Sequence, residues 1–434
     1  MDWNERINHV FTTRPRNGAE KGILWVERKD EQKKFSSYLA QEDHICIDGP
    51  TGSGKSSLVA TKLYGLKQKH IAIQLSRKLT WEQFCTRLVD PKYVNTNSIG
   101  AELEIGVDKG LPTGKLSFSL GSSGSDNDDI DYLIKQSKTW TEHDLCKKLQ
   151  EADIPLILDD VERCNDDLLE RLSDAARIQF QSYPSKKGKM VFIGAGGIMP
   201  RLIKANKSLG HRINHISLGA FEDMNYSWHF LLEGFNSLGM RHPANSRYKD
   251  QIKQRDTCVK MTYYAADGLP KSLNRLGKNI AISSGEGRHA NASTIINESR
   301  QMFLENWRNY STIYTSIANL LKSDQIAGKI VKLIWKRGMG AVIETDYLRE
   351  NIVDKKTPGD KRIKNDEFES SLSHLIDLDF ITLSGKSRDT VFATDPASAH
   401  TFGVAMHNPS LFIGAKELMS GLQQLEIDFS KVTD

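Results

Sequence analysis

Eight consecutive residues, Gly49-Pro50-Thr51-Gly52-Ser53-Gly54-Lys55-Ser56, constrain this chain more than any other feature. They form a complete phosphate-binding loop, preceded by the apolar run His44-Ile45-Cys46-Ile47 and followed by the helix-forming Ser57-Leu58-Val59-Ala60-Thr61-Lys62-Leu63. The glycines let successive backbone N–H groups converge on phosphates, and the helix N-terminus adds partial positive charge. Lys55 supplies a cation and Ser56 a magnesium ligand. The pattern predicts ATP and Mg2+ as ligands, the nucleotide held by Gly49 through Ser57 on a strand-loop-helix unit. A ligand-free glycine turn is the competing reading.

Further strands are expected at 70–75, 155–160 and 189–195, with helices at 80–89 and 141–151, the alternation of an α/β parallel sheet. Residues 97–131 interrupt it: 101–107 and 115–120 alternate polar and apolar residues around Gly110-Leu111-Pro112-Thr113-Gly114, which predicts an inserted β-hairpin. Surface decoration and a face for another subunit or partner both remain open for it. The acidic run 121–129 has too little apolar content to order itself. Residues 1–216 thus read as a sheet domain and 217–285, with helices at 225–239, 247–267 and 270–283, as a helical lid. A connecting helix falls in 286–323. Residues 324–400 read helix, short helix, helix and two strands around Ser384-Gly385-Lys386-Ser387, the order of a winged helix, before a tail at 401–434.

The 434 residues are 38% hydrophobic and 26% charged, which excludes a disordered chain. Five cysteines, at 46, 85, 146, 164 and 258, show neither disulfide nor zinc spacing and fit a reducing cytoplasm. Met-Asp-Trp-Asn-Glu has no targeting core, and no run approaches the roughly 18 apolar residues of a membrane span, so no membrane partner is expected. The net charge of +4 permits nucleic-acid contact without demanding it.

Leu156-Ile157-Leu158-Asp159-Asp160 brings two carboxylates to a strand end. Asp159 is the expected magnesium residue and Asp160 the expected catalytic carboxylate that orients the attacking water; a helix N-cap is the alternative. Phosphoryl transfer also needs positive charge at the γ-phosphate, and Arg212 lies where a finger offered to a neighbouring subunit would sit; an ordinary surface arginine is the alternative. Arg201 is a lesser candidate. His211 and His215, four apart, share a face if helical, but no third metal ligand accompanies them.

Together, Trp25-Val26-Glu27-Arg28-Lys29-Asp30-Glu31, the phosphate loop, the Leu-Asp-Asp-Val run and Asp267-Gly268-Leu269-Pro270-Lys271-Ser272-Leu273-Asn274-Arg275-Leu276 resemble the AAA+ and STAND P-loop ATPases. The likeness is strongest to the branch near the origin-recognition ATPases and the transposition regulator TnsC, over about residues 20–285. The resemblance implies that the box with Arg28 and the turn at Pro270 flank the adenine and that Lys271 reaches the phosphates from the lid. It also implies a nucleotide-dependent homo-oligomer. Three departures stand out: Glu27 in place of a glycine, Asp160 in place of glutamate, and Gly194-Ala195-Gly196 in place of a polar sensor residue. Slow hydrolysis, or nucleotide used as a switch, is the expectation they carry.

The expected recognition helix of the winged helix begins with acidic Asn365-Asp366-Glu367-Phe368-Glu369, whereas Lys355, Lys356, Lys361, Arg362 and Lys364 precede it and Lys386 and Arg388 tip the wing. Phosphate-backbone contact with duplex DNA and a protein-binding or structural role both remain open. Two functional readings follow. One is an oligomerising ATPase that engages DNA or recruits a partner, as in transposition or replication regulation. The other is a STAND-like sensor in defence against mobile DNA or phage, its effector on another protein.

Overall fold

The computed structural model describes residues 2–12, 28–68, 70–89, 136–221, 223–245, 249, 253–285, 289–309, 311–337, 342–353, 363–384, 390–394, 399 and 401–403. The inserted hairpin of 97–131, residues 25–27 of the first box, and Lys355, Lys356, Lys361, Arg362, Lys386 and Arg388 lie outside them.

Five parallel strands, β1 (His44–Asp48), β2 (Ile71–Gln74), β3 (Leu156–Asp159), β4 (Met190–Ile193) and β5 (Ile213–Ser217), form a sheet in the order β2-β3-β4-β1-β5. Alternation along the central strands feeds two separate cores. Ile45, Ile47, Ile157, Val191 and Ile193 face Phe35 and Leu39 of helix Lys29–Leu39 and Leu58 and Leu63 of helix Lys55–Gly65. Cys46, Leu156, Leu158 and Phe192 face Phe84, Leu145, Leu168 and Leu172 on helices of the other side. A sheet covered on both faces requires such continuous apolar strands.

The sequence reading has no fifth strand, because Asn214, His215 and Ser217 make the segment look polar. β5 pairs along the whole of β1, from His44 opposite Ile213 to Asp48 opposite Ser217. His215 Nε2 and Ser217 Oγ bond the fully buried Asp48 carboxylate at 2.9 and 3.0 Å. His211 ends a 3-10 turn, Lys207–His211, while His215 lies in β5, so the two histidines share no helix face.

Helices Met224–Ser237, Arg255–Ala266 and Pro270–Ser284 pack around Leu231, Phe235, Leu273, Leu276 and Ile280, and the first helix, Trp3–Val10, adds Ile7 and Val10 to that cluster. Helix Ala292–Asn309 contributes Ile295 and Met302 to it and Phe303 and Trp307 to the C-terminal core. That last core gathers helices Ser311–Ser323, Gln325–Arg337, Thr345–Ile352 and Asn365–Asp377 and an antiparallel sheet ordered β6-β8-β7, from β6 (Ile343–Glu344), β7 (Ile381–Ser384) and β8 (Thr390–Ala393). The acidic start of helix Asn365–Asp377 is engaged locally: Arg349 pairs with Glu369 at 2.8 Å, and Glu367 accepts the Lys364 N–H at 2.9 Å. No helix among the described residues is long and apolar enough to cross a membrane.

His44 at the root of β1 makes the sheet sensitive to acid. Its Nδ1 accepts the Met190 N–H at 3.1 Å, which leaves Nε2 protonated and donating to the Ala176 carbonyl at 2.7 Å. Burial, opposed by the Ala176 bond and aided by Lys189 and Arg212, lowers its pKa to about 4. An unfolded histidine, near 6.5, binds its proton first as pH falls, so the folded state loses stability between about 6.5 and 4. The expected loss is about 3 kcal/mol. Chemical denaturation of the protein and of His44→Gln across that window checks it: the variant should lack this component, and identical slopes would remove His44 from the effect.

Candidate nucleotide site

The phosphate loop turns between β1 and helix Lys55–Gly65 with Gly49, Gly52 and Gly54 all at positive φ, dihedrals that suit backbone N–H groups converging at a helix start. The loop lies at the carboxyl end of β1, where the order runs from β4 across β1 to β5, the usual place of a ligand crevice in an open α/β sheet. Lys55 is buried, and its Nζ donates to the carbonyls of Gly49 at 3.0 Å and Pro50 at 2.9 Å. Burial lowers its pKa, opposed first by Glu162 and then by Asp159, Asp48 and Asp160.

Ser56 Oγ donates to Asp159 Oδ2 at 2.7 Å, which brings together the two expected magnesium residues from different elements. Enclosure of the Asp159 carboxylate raises its pKa, the Ser56 hydroxyl opposes the shift, and the charge of Asp160 adds to it. Hard oxygen donors of this kind suit Mg2+, which takes few protein ligands and fills its octahedron with water and substrate phosphate. Among the described residues no group of three or more His, Cys, Asp or Glu is arranged around a metal position.

The start of helix Pro270–Ser284 lies directly against the loop. The Lys271 N–H, in the first turn of helix Pro270–Ser284, donates to the Gly52 carbonyl at 3.2 Å. Arg28 Nη2 donates to the Ser53 carbonyl at 3.1 Å, and its guanidinium lies 4.7 Å from the Phe221 ring centroid. The Phe221 N–H donates to the Gly268 carbonyl at 2.9 Å, tying the ring to the turn that enters the lid helix. Arg28, Phe221 and Pro270 therefore converge beside the loop. Phe221 was absent from the sequence reading; its position just after β5 is the signal that finds it, once β5 is known.

The remaining acidic and basic candidates separate. Asp160 leaves β3 in the left-handed region, φ 57°, with its carboxylate accepting from Gln74 Nε2 at 2.7 Å. Arg201 is committed to the turn after β3, donating to the Glu162 and Cys164 carbonyls at 3.0 and 3.2 Å and to Asp166 at 2.9 Å. Arg212 stands at the amino end of β5, with Nη1 on Ser208 Oγ at 3.1 Å and its guanidinium 5.3 Å from the Phe180 ring. The length of β5, about 13 Å at a strand's rise, separates it from the loop end of the sheet. Glu162, which the sequence reading passed over, accepts the Ala195 N–H at 2.9 Å just beyond β4.

No protein-family profile matches the chain, and no curated protein matches it in sequence. Solved structures align with most of its length at low identity. A Walker-type ATPase of Pyrococcus abyssi aligns over 91% of this chain and 99% of its own, with 17% identity and a TM-score of 0.48. The ORC2 protein of Aeropyrum pernix, in its ADP form, covers 98% and 99% with 13% identity and a TM-score of 0.43. The Holliday junction branch migration motor RuvB of Thermotoga maritima covers 88% and 95% with 14% identity and a TM-score of 0.38.

Proposed function

We propose that this chain is an ATP-binding ATPase of the AAA+ kind that assembles with copies of itself in a nucleotide-dependent way and engages duplex DNA, a partner protein or both. The observation that carries the reading is one crevice in which the phosphate loop, the Ser56–Asp159 pair and the start of the lid helix meet. On nucleotide entry Lys55 exchanges the Gly49 and Pro50 carbonyls for phosphate oxygens. Gly52, Ser53, Gly54 and Ser57 turn their N–H groups to the phosphates, and Arg28 and Phe221 flank the base with Pro270. Lys271 approaches from the lid. Ser56 and Asp159 would hold magnesium, which neutralises charge on the β- and γ-phosphates. The carboxylate that orients water comes from the exit turn of β3, residues 160–162.

Arg212 acts, in this reading, on the nucleotide of the adjoining subunit, since its own is out of reach. The helix, strand, helix, helix, strand, strand order of 325–393 supports a winged helix as the DNA- or partner-binding unit. The five buried free thiols fit a reducing cytoplasm. A nucleotide-controlled STAND-like switch, its effector on a partner, draws support from the contact of Lys271 with Gly52, because lid and loop already touch and a triphosphate must rearrange both.

Particle imaging with a slowly hydrolysed ATP analogue, with and without duplex DNA, tests the assembly: nucleotide-dependent oligomers are expected, and particles that stay monomeric under all conditions would remove it. Mixing Arg212→Ala with Lys55→Ala protein should restore part of the hydrolysis that neither has alone, because one interface then pairs an intact loop with an intact arginine. Mixtures no more active than their parts, with subunit exchange demonstrated, would confine Arg212 to its own chain.

A further inference from the structure

The exit turn of β3 carries two acidic side chains beyond Asp159, and the strand order sends them in opposite directions. β3 lies between the edge strand β2 and the inner strand β4, and only β4 leads on to β1 and the phosphate loop. Asp160 turns to the edge: its partner Gln74 is the last residue of β2, and Arg163 stands 3.8 Å away on the same side. Glu162 turns inward. Its Oε2 takes the Ala195 N–H at 2.9 Å, and a methyl group on Gly194 would lie 2.5 Å from that oxygen. Gly194 itself donates its N–H to the Ile47 carbonyl at 3.1 Å, next to the root of the phosphate loop. The Glu162 carboxylate therefore lies over the end of β4, between the loop on β1 and Asp159 on β3. Of the carboxylates that act on the Lys55 charge, Glu162 acts most strongly. Arg201 holds the Glu162 carbonyl at 3.0 Å and the Asp166 carboxylate at 2.9 Å, which fixes the turn.

We propose that Glu162, rather than Asp160, is the carboxylate that accepts the proton of the attacking water. The inference rests on the ATPase reading above. The water oxygen bonds to the γ-phosphorus, the bond from that phosphorus to the β–γ bridging oxygen breaks with its electron pair leaving on ADP, and one water proton passes to Glu162. The glycine at 194, a departure from the polar residue of the resembled ATPases, then has a steric reason: the carboxylate of Glu162 occupies the space a side chain there would fill.

Glutamine at 162 keeps an amide oxygen for the Ala195 N–H but accepts a proton poorly, so it separates chemistry from scaffolding. Glu162→Gln is expected to bind ATP within about twofold of the unaltered protein, to melt at the same temperature, and to slow turnover by about 100-fold or more. Its bound nucleotide, recovered by acid quench, should be intact ATP. Asp160→Asn should lose less than about tenfold. Gly194→Ala, whose methyl meets the Glu162 carboxylate at 2.5 Å before Ile198 Cγ2 at 3.0 Å and the Glu162 backbone nitrogen at 3.3 Å, should also slow turnover while binding nucleotide. Undiminished turnover in Glu162→Gln, or Asp160→Asn as the inactive variant, overturns the assignment and leaves the ATPase reading standing. An unaltered protein that binds ATP and never hydrolyses it, alone or with DNA, overturns the ATPase reading and the assignment with it.

Discussion

Lys55→Ala is expected to abolish nucleotide binding. The Lys55 ammonium is the one side-chain cation within the phosphate loop, and it is buried, where each bond it makes is worth more than in water. Bonds from a charged donor contribute about 1.5–3 kcal/mol each, so losing two on phosphate oxygens weakens binding by roughly 10²- to 10⁴-fold. The variant also leaves the Gly49 and Pro50 carbonyls without the donor that now ties the loop together at 3.0 and 2.9 Å. Calorimetric titration with ATP checks it; an unchanged affinity would place the primary nucleotide site elsewhere in the molecule.

Gly49→Ala should be as damaging by a different route. Gly49 has φ 142°, a region side chains rarely adopt, and an added Cβ would lie 2.2 Å from the Leu218 carbonyl oxygen. That oxygen is backbone, in a segment tied to β1 by the Leu218 N–H on the Asp48 carbonyl at 2.8 Å, so no rotamer change relieves the clash. Backbone strain and overpacking together cost about 4 kcal/mol, and the loop must shift away from its phosphate geometry. A lower melting temperature with loss of ATP affinity is expected. Gly65→Ala, where a Cβ in the last turn of helix Lys55–Gly65 meets nothing within 4 Å, is the control and should keep ATP affinity without lowering the melting temperature. Equal stabilities for the two variants would contradict the strained geometry of residue 49.

The legible parts of the site are those encoded in contiguous residues. Loop, preceding strand and following helix are a local backbone program, in which glycine spacing sets the dihedrals and the apolar run sets the strand. The place of Asp159 at the end of an apolar strand downstream of such a loop was legible for the same reason. The turn at Gly268 and Pro270 was legible as a helix start, because proline favours the first helical position. β5 was not, because its polar residues answer to a buried charge on another strand: His215 and Ser217 are explained by Asp48 and by nothing nearby in the chain.

Tertiary structure alone decided the rest. Asp160 and Glu162 are two residues apart, and no pattern in Asp159-Asp160-Val161-Glu162 says which one turns to the sheet edge and which to β4; the order β2-β3-β4-β1 does, by placing Gln74 on one side and Ala195 on the other. Phe221 joins Arg28 because β5 delivers its chain end to the loop, and Arg212 stands away from the loop because it sits at the opposite end of that strand. The first helix packs among helices Met224–Ser237, Arg255–Ala266 and Pro270–Ser284 through Ile7 and Val10, a contact that no local propensity specifies. The sequence by itself determined the conformation of the phosphate loop and the kind of ligand it suits, since local dihedrals and hydrogen-bond donors suffice for that. Which carboxylate turns toward β4 and which toward the sheet edge, and at which end of the sheet Arg212 stands, depends on strand order and packing between distant segments, which only the assembled sheet determines.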